Sequence, residues 1–371
     1  MAELQLPKGR GENRRRQLIN FASNLIGIYS QIGFKLSARG WCYQLEGFRL
    51  VNKNQFDRVE KLINECRRDG YLPVDFTAEE EARKFVGIEI PEDCMPVEYL
   101  QKYLVAAMNC GVYYTPNWWT DEKYYIQILV EKVDLKTLFE PVCKKFHIPI
   151  ATSKGWSSIL QRAEFARRFK EAEEEGLICV LLYCGDHDPD GLRITENIRK
   201  NLYDVRDVWW IDKTVGYSPG GKIYGDGILI SDTPEKLITD RFGLNYDFIA
   251  AHNLTWVDNL ITSSGKDLAG PSHRNHHLPY VQNYLNQFGP KKCEANAMVV
   301  IPGEARKLCK AAIEKYLGYD ALKRFEAKRQ EVCDNIDEFK RRTGLDKTLM
   351  NVIKAIKKEL GANDKKDVDV N

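Results

Sequence analysis

Apolar residues recur at helical spacing through the N-terminal part of the sequence. They predict a helix over 14–33, a short helix over 38–47 with Ser37 as its N-cap, and a third helix over 56–69 that ends at Gly70. A short extended piece, Tyr71 to Val74, follows. Three helices and a short strand are typical of a winged-helix or helix-turn-helix module.

From residue 124 onward, apolar runs alternate with helical patterns. The runs predict strands over 125–130, 148–150, 177–184 and 208–211. The intervening patterns predict helices over 134–146, 156–175 and 190–203. An alternation of strands and helices indicates a parallel α/β sheet of the Rossmann-like type, and the third run is apolar throughout, as in a strand buried on both faces.

The remainder of the chain is mostly helical. Gly220-Gly221 indicates a hairpin turn, and 303–342 a helical hairpin. Further helices are predicted over 234–242, 246–251, 278–288 and 346–360. The predicted domains are a winged-helix (CAP-like) domain over 1–85, a linker over 86–120 that is partly helical at 97–109, an α/β domain over 121–300, a helical extension over 301–361 and a flexible tail over 362–371.

Charge is unevenly distributed along this 371-residue chain. The net charge is +2, yet residues 1–70 hold 13 Lys/Arg against 7 Asp/Glu. A basic module of this kind favours a polyanionic partner, although a solvated charged face would have the same composition. The candidate contacts to such a partner are Arg14, Arg15, Arg16, Arg67 and Arg68.

Cysteine usage and hydropathy favour a cytoplasmic protein. None of the ten cysteines forms a CxxC pair, and several lie in apolar runs, which is typical of reduced core thiols. The N-terminus has no secretory pattern. The longest uncharged run, 17–34, is too polar to span a membrane.

The most informative motif is the run Gly185-Asp186-His187-Asp188-Pro189-Asp190-Gly191, directly after the most apolar strand. Residues i and i+2 of an extended chain point to the same side, so Asp186 and Asp188 present two carboxylates together. They lie at the carboxyl end of a parallel strand, where α/β sheets bind ligands. A helix-capping aspartate beside surface acids is the structural alternative.

A third acid, Glu131, follows the strand over 125–130 and is expected at the same sheet edge. Three converging carboxylates need a cation, and their hard oxygen atoms favour Mg²⁺. Glu294 is a candidate for further support of this site. The segment His273 to His277 has no acid or cysteine at ligand spacing and is expected to be a polar loop rather than a metal site.

Glu131 and the Asp-x-Asp-Pro-x-Gly run resemble the Toprim domain, in the form found in the A subunit of topoisomerase VI and its relative, the meiotic double-strand-break transesterase. Lys132 and the stretch Lys154 to Ser158 also fit this subgroup, including its phage- and plasmid-type relatives. In that family Glu131, Asp186 and Asp188 would bind Mg²⁺, with Lys132 and Asp190 in possible supporting roles.

The N-terminal region contains the other half of the resemblance. The family carries its nucleophilic tyrosine in a winged-helix domain, in a motif Arg-Asp-hydrophobic-aromatic-Tyr. The sequence Arg39-Gly40-Trp41-Cys42-Tyr43 keeps the arginine and the tyrosine, with Gly40 and Cys42 in place of Asp and the aromatic residue. Arg39 would face the same side of a helix as Tyr43 and offset the charge of the phenolate or hold the phosphate. A half-buried core aromatic is the alternative for Tyr43.

The resemblance implies a DNA-cleaving subunit like that of a type IIB topoisomerase. It would act on double-stranded DNA as a homodimer, with Tyr43 of one chain meeting the metal site of the other. A 5′-phosphotyrosyl link would form. The sequence shows no Walker A motif, so strand passage would need a separate GHKL-type ATPase subunit.

Two other functions are compatible with the same residues. Several Toprim proteins, among them relatives in phage and plasmid defence, hydrolyse DNA with Mg²⁺-activated water. In such a nuclease Tyr43 would be structural. A DNA-tethered scaffold with a silent site is a further alternative, which the complete set of acids disfavours. The expected location is the cytoplasm: nucleoid-associated in a cell, or the host cytoplasm for a phage protein.

Overall fold

The computed structural model describes residues 6–78, 91–152, 159–203, 237–262 and 265–363. The chain divides into two compact units: Met1–Glu79 with Asp121–Gly318, and Glu80–Thr120 with Tyr319–Asn371. This division differs from the expected domains, because residues 1–79 pack into one unit with the sheet.

The N-terminal region contains the three predicted helices, α1 (Gly11–Ile32), α2 (Ala38–Gly47) and α3 (Phe56–Arg68). Ser37 caps α2 as predicted, since its side chain accepts a hydrogen bond from the Gly40 amide at 3.0 Å. The apolar faces of the helices are buried, with Leu25, Trp41 and Phe56 fully inaccessible.

The expected strand over 71–74 does not form. The amides of Tyr71 and Leu72 both donate to the carbonyl of Cys66, at 2.9 and 3.1 Å, and so close the end of α3. Gly70 permits this turn with a φ of 77°. The described N-terminal residues therefore have the helices of a winged-helix module but no wing strand, and this part of the predicted fold is not confirmed.

A four-stranded parallel sheet confirms the α/β prediction. The strands are β1 (Tyr124–Val130), β2 (Ile150–Thr152), β3 (Ile178–Cys184) and β4 (Ile238–Gly243), in the order β2-β1-β3-β4. The connecting helices are α6 (Val133–Lys145), α7 (Ile159–Glu174) and α8 (Pro189–Tyr203). The register pairs Val130 with Cys184, so β1 and β3 end at the same level of the sheet.

Within the segment predicted as a helix over 234–242, residues 238–242 form part of strand β4 instead, and residues 234–236 lie outside the described residues. The two charged residues at the centre of this strand both have partners. Asp240 accepts hydrogen bonds from Lys315 and Tyr316, at 2.6 and 2.7 Å, and Arg241 binds loop carbonyls described below. β2 lies two residues later than the predicted strand over 148–150. The predicted strand over 208–211, the turn at Gly220-Gly221 and the stretch Lys154 to Ser158 lie outside the described residues.

Beyond β4 the first unit continues with α9 (Tyr246–Ala251), α10 (Pro279–Phe288), a 3-10 helix (Ala295–Val300) and α11 (Pro302–Leu317). α10 buries Val281 and Tyr284 against Leu260 and Leu268. The segment between α10 and the 3-10 helix, residues 289–294, runs past the carboxyl end of β3, where the site lies.

The second unit consists of α4 (Pro96–Met108), α5 (Cys110–Tyr113), α12 (Ala321–Thr343) and α13 (Leu345–Asn363). The Trp118 ring lies 5.9 Å from that of Phe325, and Lys328 donates to the Trp118 carbonyl at 3.0 Å. The helix expected at 97–109 within the connecting segment is confirmed by α4, and the described residues 91–120 belong to this unit. The expected extension 301–361 is divided between the two units. No helix in the described ranges is long and apolar enough to cross a membrane.

Candidate active site

Glu131 and Asp186 meet at the carboxyl ends of β1 and β3. The Asp186 amide donates to Glu131 Oε2 at 2.8 Å, and the Glu131 amide donates to the Cys184 carbonyl at 2.9 Å. The prediction that Glu131 lies beside the Asp-x-Asp run is supported by this contact. Two acids 55 positions apart are brought together by the parallel register alone.

Lys132 places an ammonium group between these two acids. Its Nζ lies 2.9 Å from Glu131 Oε1 and 3.0 Å from Asp186 Oδ2. Burial opposes ionisation of Lys132, but the charges of Asp186 and Glu131 outweigh burial and raise its pKa. The ammonium therefore stays charged and offsets the repulsion between the carboxylates.

The two acids respond differently to this environment. Burial and the neighbouring negative charge of Glu131 raise the pKa of Asp186 to about 7. Burial also acts on Glu131, but there the Lys132 ammonium and the hydrogen bond from the Asp186 amide lower the pKa. Burial raises the pKa of Asp188 against the hydrogen bond from Gly191.

Arg241 of β4 holds the loop that carries the aspartates. Its guanidinium donates to the carbonyls of Gly185 at 2.8 Å, Asp186 at 2.7 Å and Gly191 at 2.7 Å. Hydrogen bonds from one guanidinium group to three carbonyls fix the backbone of this loop. The sequence pattern did not indicate this residue, because its segment was predicted to be a helix.

Two positions in the same loop require glycine, because other atoms lie too close to leave room for a Cβ. A Cβ on Gly185 would lie 2.3 Å from the Tyr183 hydroxyl and 2.7 Å from Glu131 Oε2. A Cβ on Gly191 would lie 2.3 Å from the Asp186 carbonyl oxygen. The loop therefore reaches the acids only with glycine at these positions.

The remaining polar residues of the loop have separate roles. Asp188 Oδ1 accepts from the Gly191 amide at 2.6 Å and so caps the start of α8. Asp190 accepts from the Tyr280 hydroxyl at 2.9 Å. His187 is buried, and burial together with the Arg241 charge lowers its pKa to about 4, so it stays neutral.

The segment Cys293 to Ala295 packs against the loop that carries the aspartates and contacts both His187 and Asp186. His187 and Cys293 exchange backbone hydrogen bonds of 2.8 and 3.1 Å as an antiparallel bridge. The Ala295 amide donates to Asp186 Oδ1 at 2.8 Å. Glu294, between them, directs its carboxylate to Tyr43 and Lys53.

Tyr43 lies in α2 of the same chain and is 8% exposed. Its hydroxyl donates to Glu294 Oε2, and Lys53 Nζ lies 3.2 Å from Glu294 Oε1. Lys53 also lies 5.6 Å from the centre of the Tyr43 ring. Burial, followed by the Glu294 charge, raises the pKa of the Tyr43 phenol.

Arg39 does not bind the Tyr43 hydroxyl. Its guanidinium lies 3.1 Å from Glu60 Oε1 and 3.6 Å from Asp57 Oδ1, and it stacks over the Phe56 ring at 4.8 Å. Its positive charge lowers the pKa of Tyr43 only against the larger effects of burial and Glu294. The charged groups closest to the Tyr43 side chain are thus Glu294 and Lys53, and the Phe56 ring packs edge-on against it at 5.1 Å.

The structure explains why Gly40 stands where the family motif has aspartate. The Ser37 amide and hydroxyl donate to the Asp134 carboxylate at 2.6 and 2.8 Å, which brings that carboxylate against Gly40. A Cβ on residue 40 would lie 2.6 Å from the Asp134 carboxylate atoms. A carboxylate from α6 therefore occupies the space that a side chain at position 40 would need.

Two cavities adjoin at Glu294. The acid cleft, about 400 Å³, is lined by Glu131, Lys132, Asp186, Asp188, Lys292 and Glu294 among others. The tyrosine pocket, about 170 Å³, is lined by Tyr43, Glu46, Lys53, His252 and Glu294 among others. Tyr43 does not line the acid cleft, and Glu294 belongs to both cavities.

Glu131, Asp186 and Asp188 suit Mg²⁺ in chemistry, because each supplies hard carboxylate oxygen atoms. In this conformation no three His, Cys, Asp or Glu side chains of the described residues are grouped closely enough to hold a metal ion. The Lys132 ammonium makes the cationic contacts there instead.

The candidate DNA-binding arginines fall into two sets. Arg14 forms a two-pronged ion pair with Glu65, at 2.6 and 3.1 Å, Arg67 donates to the Val74 carbonyl at 2.8 Å and Arg68 pairs with Asp69 at 2.8 Å. Arg15 and Arg16 are exposed on α1 and have no ion-pair partner among the described residues. These two are the better placed to meet a polyanion.

The histidines over 273–277 form a turn with internal hydrogen bonds. His273 Nδ1 accepts from the Asn275 amide at 3.2 Å, and His276 Nδ1 lies 3.2 Å from the Leu268 carbonyl oxygen. The segment lies before α10.

Comparison of the whole chain with protein-family models, curated proteins and solved structures finds no match.

Proposed function

We propose that this protein cleaves duplex DNA by metal-dependent transesterification, with Tyr43 as the nucleophile. The observation that carries the proposal is the continuous set of hydrogen bonds between the tyrosine and the acids. Tyr43 binds Glu294, the next residue's amide binds Asp186, and the Asp186 amide binds Glu131. A phenol and three carboxylates at the edge of a parallel sheet are the groups that such a reaction requires.

The residues of the acid cleft would act on the scissile phosphodiester. Mg²⁺, when bound by Glu131, Asp186 and Asp188, would supply positive charge against the negative charge that develops at phosphorus. Lys132 and Lys292 line the same cleft and offer ammonium groups to phosphate oxygen atoms. Arg241 keeps the Gly185–Gly191 loop in place during this change.

Tyr43 and the acids of one chain lie together, whereas the resemblance to topoisomerase VI A subunits implies a tyrosine that acts on the partner's acids. The proposed reaction site is therefore formed within a single chain. A homodimer and a separate ATPase subunit stay as expectations of the resemblance, and strand passage would need the latter.

Hydrolysis by a metal-dependent nuclease is the second candidate, and one observation favours it. Tyr43 does not line the acid cleft, and burial with the Glu294 charge raises the pKa of its phenol. In a nuclease, water in the acid cleft would attack the phosphodiester and Tyr43 would be a core residue.

A denaturing gel of end-labelled duplex DNA with Mg²⁺ separates the two functions. Transesterification predicts label that migrates with wild-type protein, and no such label with Tyr43→Phe or Asp186→Asn. Asp247→Asn, an exposed aspartate in the first turn of α9, serves as the matched control and should behave as wild type. Cleavage by Tyr43→Phe with no protein-bound label would establish the nuclease instead.

A further inference from the structure

The tyrosine pocket contains a carboxylate that the proposed chemistry has not yet used. Glu294 receives the Tyr43 hydroxyl on one oxygen atom and lies 3.2 Å from Lys53 Nζ with the other. Its side chain is 18% exposed. Lys292 lies 3.8 Å away from the same oxygen atom as Lys53. This half-buried carboxylate lies between two ammonium groups and is fixed in position against one phenol.

In the resting protein the two partners have the protonation states from which a proton transfer starts. Burial opposes the charge on Glu294, but the Lys53 ammonium and the Tyr43 hydrogen bond outweigh burial and lower its pKa, so Glu294 is a carboxylate at neutral pH. The raised pKa of Tyr43 means that the phenol keeps its proton in the resting protein. A nucleophile of this kind needs a proton acceptor in contact with it while the new bond forms.

Other charged or titratable groups face the pair from each neighbouring element. They are Glu46 and Arg39 on α2, Lys53 after α2, His252 after α9, Asp186 after β3, and Lys292. Within the described part of the chain, Glu294 is the one side chain hydrogen-bonded to the phenolic oxygen. Arg39 is engaged by Glu60 instead.

We propose that Glu294 is a catalytic residue that accepts the phenolic proton of Tyr43 as Tyr43 attacks DNA; this inference rests on the proposed function. The Tyr43 O–H bond breaks and its proton moves to Glu294 Oε2. The oxygen lone pair forms a bond to phosphorus, and the bond from phosphorus to the 3′ oxygen breaks. The 3′ oxygen leaves with that electron pair and takes a proton from water, while Glu294 returns its proton to water.

The test measures the rate of covalent adduct formation with Mg²⁺ on a duplex whose scissile 3′ oxygen is replaced by sulfur. A thiolate leaves readily and rejoins poorly, so adducts accumulate and the rate reports attack by Tyr43. Glu294→Gln keeps the shape of the side chain but cannot take a proton, and we expect the rate to fall by about 10²- to 10⁴-fold. The difference in rate between Glu294→Gln and wild type should become smaller as pH rises, because hydroxide can then remove the phenolic proton of Tyr43.

Two further variants separate proton transfer from structure. Lys53→Met removes the ion pair but keeps the carboxylate, so its rate should fall far less than that of Glu294→Gln. Glu304→Gln, an exposed acid on α11 that pairs with Lys307 at 2.8 Å, should react as wild type. Thermal unfolding of each variant checks that the fold is kept.

Each result decides between distinct conclusions. A slow, pH-sensitive Glu294→Gln beside a fast Lys53→Met supports the inference. If the rate of adduct formation falls equally in these two variants, or is unchanged in Glu294→Gln, the inference is overturned while the proposed function stands. Absence of any adduct with wild-type protein overturns the proposed function and the inference together.

Discussion

The acid cleft and the tyrosine pocket share Glu294 but balance their charges differently. In the acid cleft one ammonium, Lys132, contacts two carboxylates, and Asp186 keeps a raised pKa of about 7. Glu294, which the two cavities share, has two ammonium groups near it, Lys53 of the tyrosine pocket and Lys292 of the acid cleft, and keeps a lowered pKa. Asp186 is short of compensating positive charge, which suits it to bind a cation, whereas nearby ammonium groups keep Glu294 ionised. Glu294 is therefore in the form that can accept a proton.

The largest expected effect concerns whether the two regions work within one chain. Tyr43→Phe and Asp186→Asn proteins, co-expressed with different tags and purified together, should form no covalent adduct, because every chain lacks one half of its site. Wild-type chains co-expressed with either variant provide the positive control. Adducts from the mixture of variants would show that the tyrosine of one chain acts with the acid cleft of another, as the family resemblance implies.

A second test weakens the acid cleft while leaving the tyrosine pocket in place. Arg241→Gln should lower the free energy of unfolding by about 2–3 kcal/mol, since hydrogen bonds from a charged donor contribute roughly 1.5–3 kcal/mol each and are not additive. Urea denaturation measures the change. Arg167→Met, which removes surface ion pairs on α7, should cost under about 1 kcal/mol. Equal losses in the two variants would contradict the role assigned to Arg241.

The pH dependence of stability should distinguish the regions as well. The folded protein raises the pKa of Asp186 from an ordinary value of 3.8 to about 7. Between these values the folded state binds more protons than the unfolded state, so this group makes the metal-free protein less stable as pH rises from about 4 to about 7. Asp186→Asn should lack that decline and gain stability over wild type at pH 8. If the free energy of unfolding had the same pH dependence in the wild type and in Asp186→Asn, this prediction would be contradicted.

The smallest expected effect lies on the surface of α1. Arg15→Ala/Arg16→Ala should reduce the salt dependence of DNA binding, by about 0.9 in the logarithmic slope for each phosphate that the variant no longer neutralises. Arg14→Ala should change the slope less, because Glu65 already holds that guanidinium. Binding titrations at several salt concentrations measure both. An unchanged slope in the double variant would show that this face of α1 does not meet DNA.

The sequence was sufficient to predict that Glu131 and Asp186 meet at one edge of the sheet. A fully apolar strand followed by Asp186 and Asp188, and a second strand followed by Glu131, place all three acids by the rule that parallel strands end at one edge. Helices such as α2 and α3 were also predictable, because their apolar spacing and caps are local. The α/β class follows from the same alternation.

The rest depended on contacts between distant residues. Arg241 was missed because a strand with two central charges resembles a helix until Lys315, Tyr316 and the loop carbonyls provide partners. The tyrosine pocket was missed because Tyr43 and Glu294 are 251 positions apart and no local pattern marks the contact. The expected strand at 71–74 failed because its amides cap α3 instead.

The backbone bridge between His187 and Cys293 has a consequence for synthesis on the ribosome. Before residues 293–295 have been made, the tyrosine and all three cleft acids exist, but the amide that binds Asp186 and the carboxylate that binds Tyr43 do not. Contacts that span such long stretches of chain form late, because closing them costs entropy. A nascent chain therefore lacks the link between Tyr43 and the acids until residues 293–295 emerge, and a truncation before Cys293 should leave the acids of the sheet without that link.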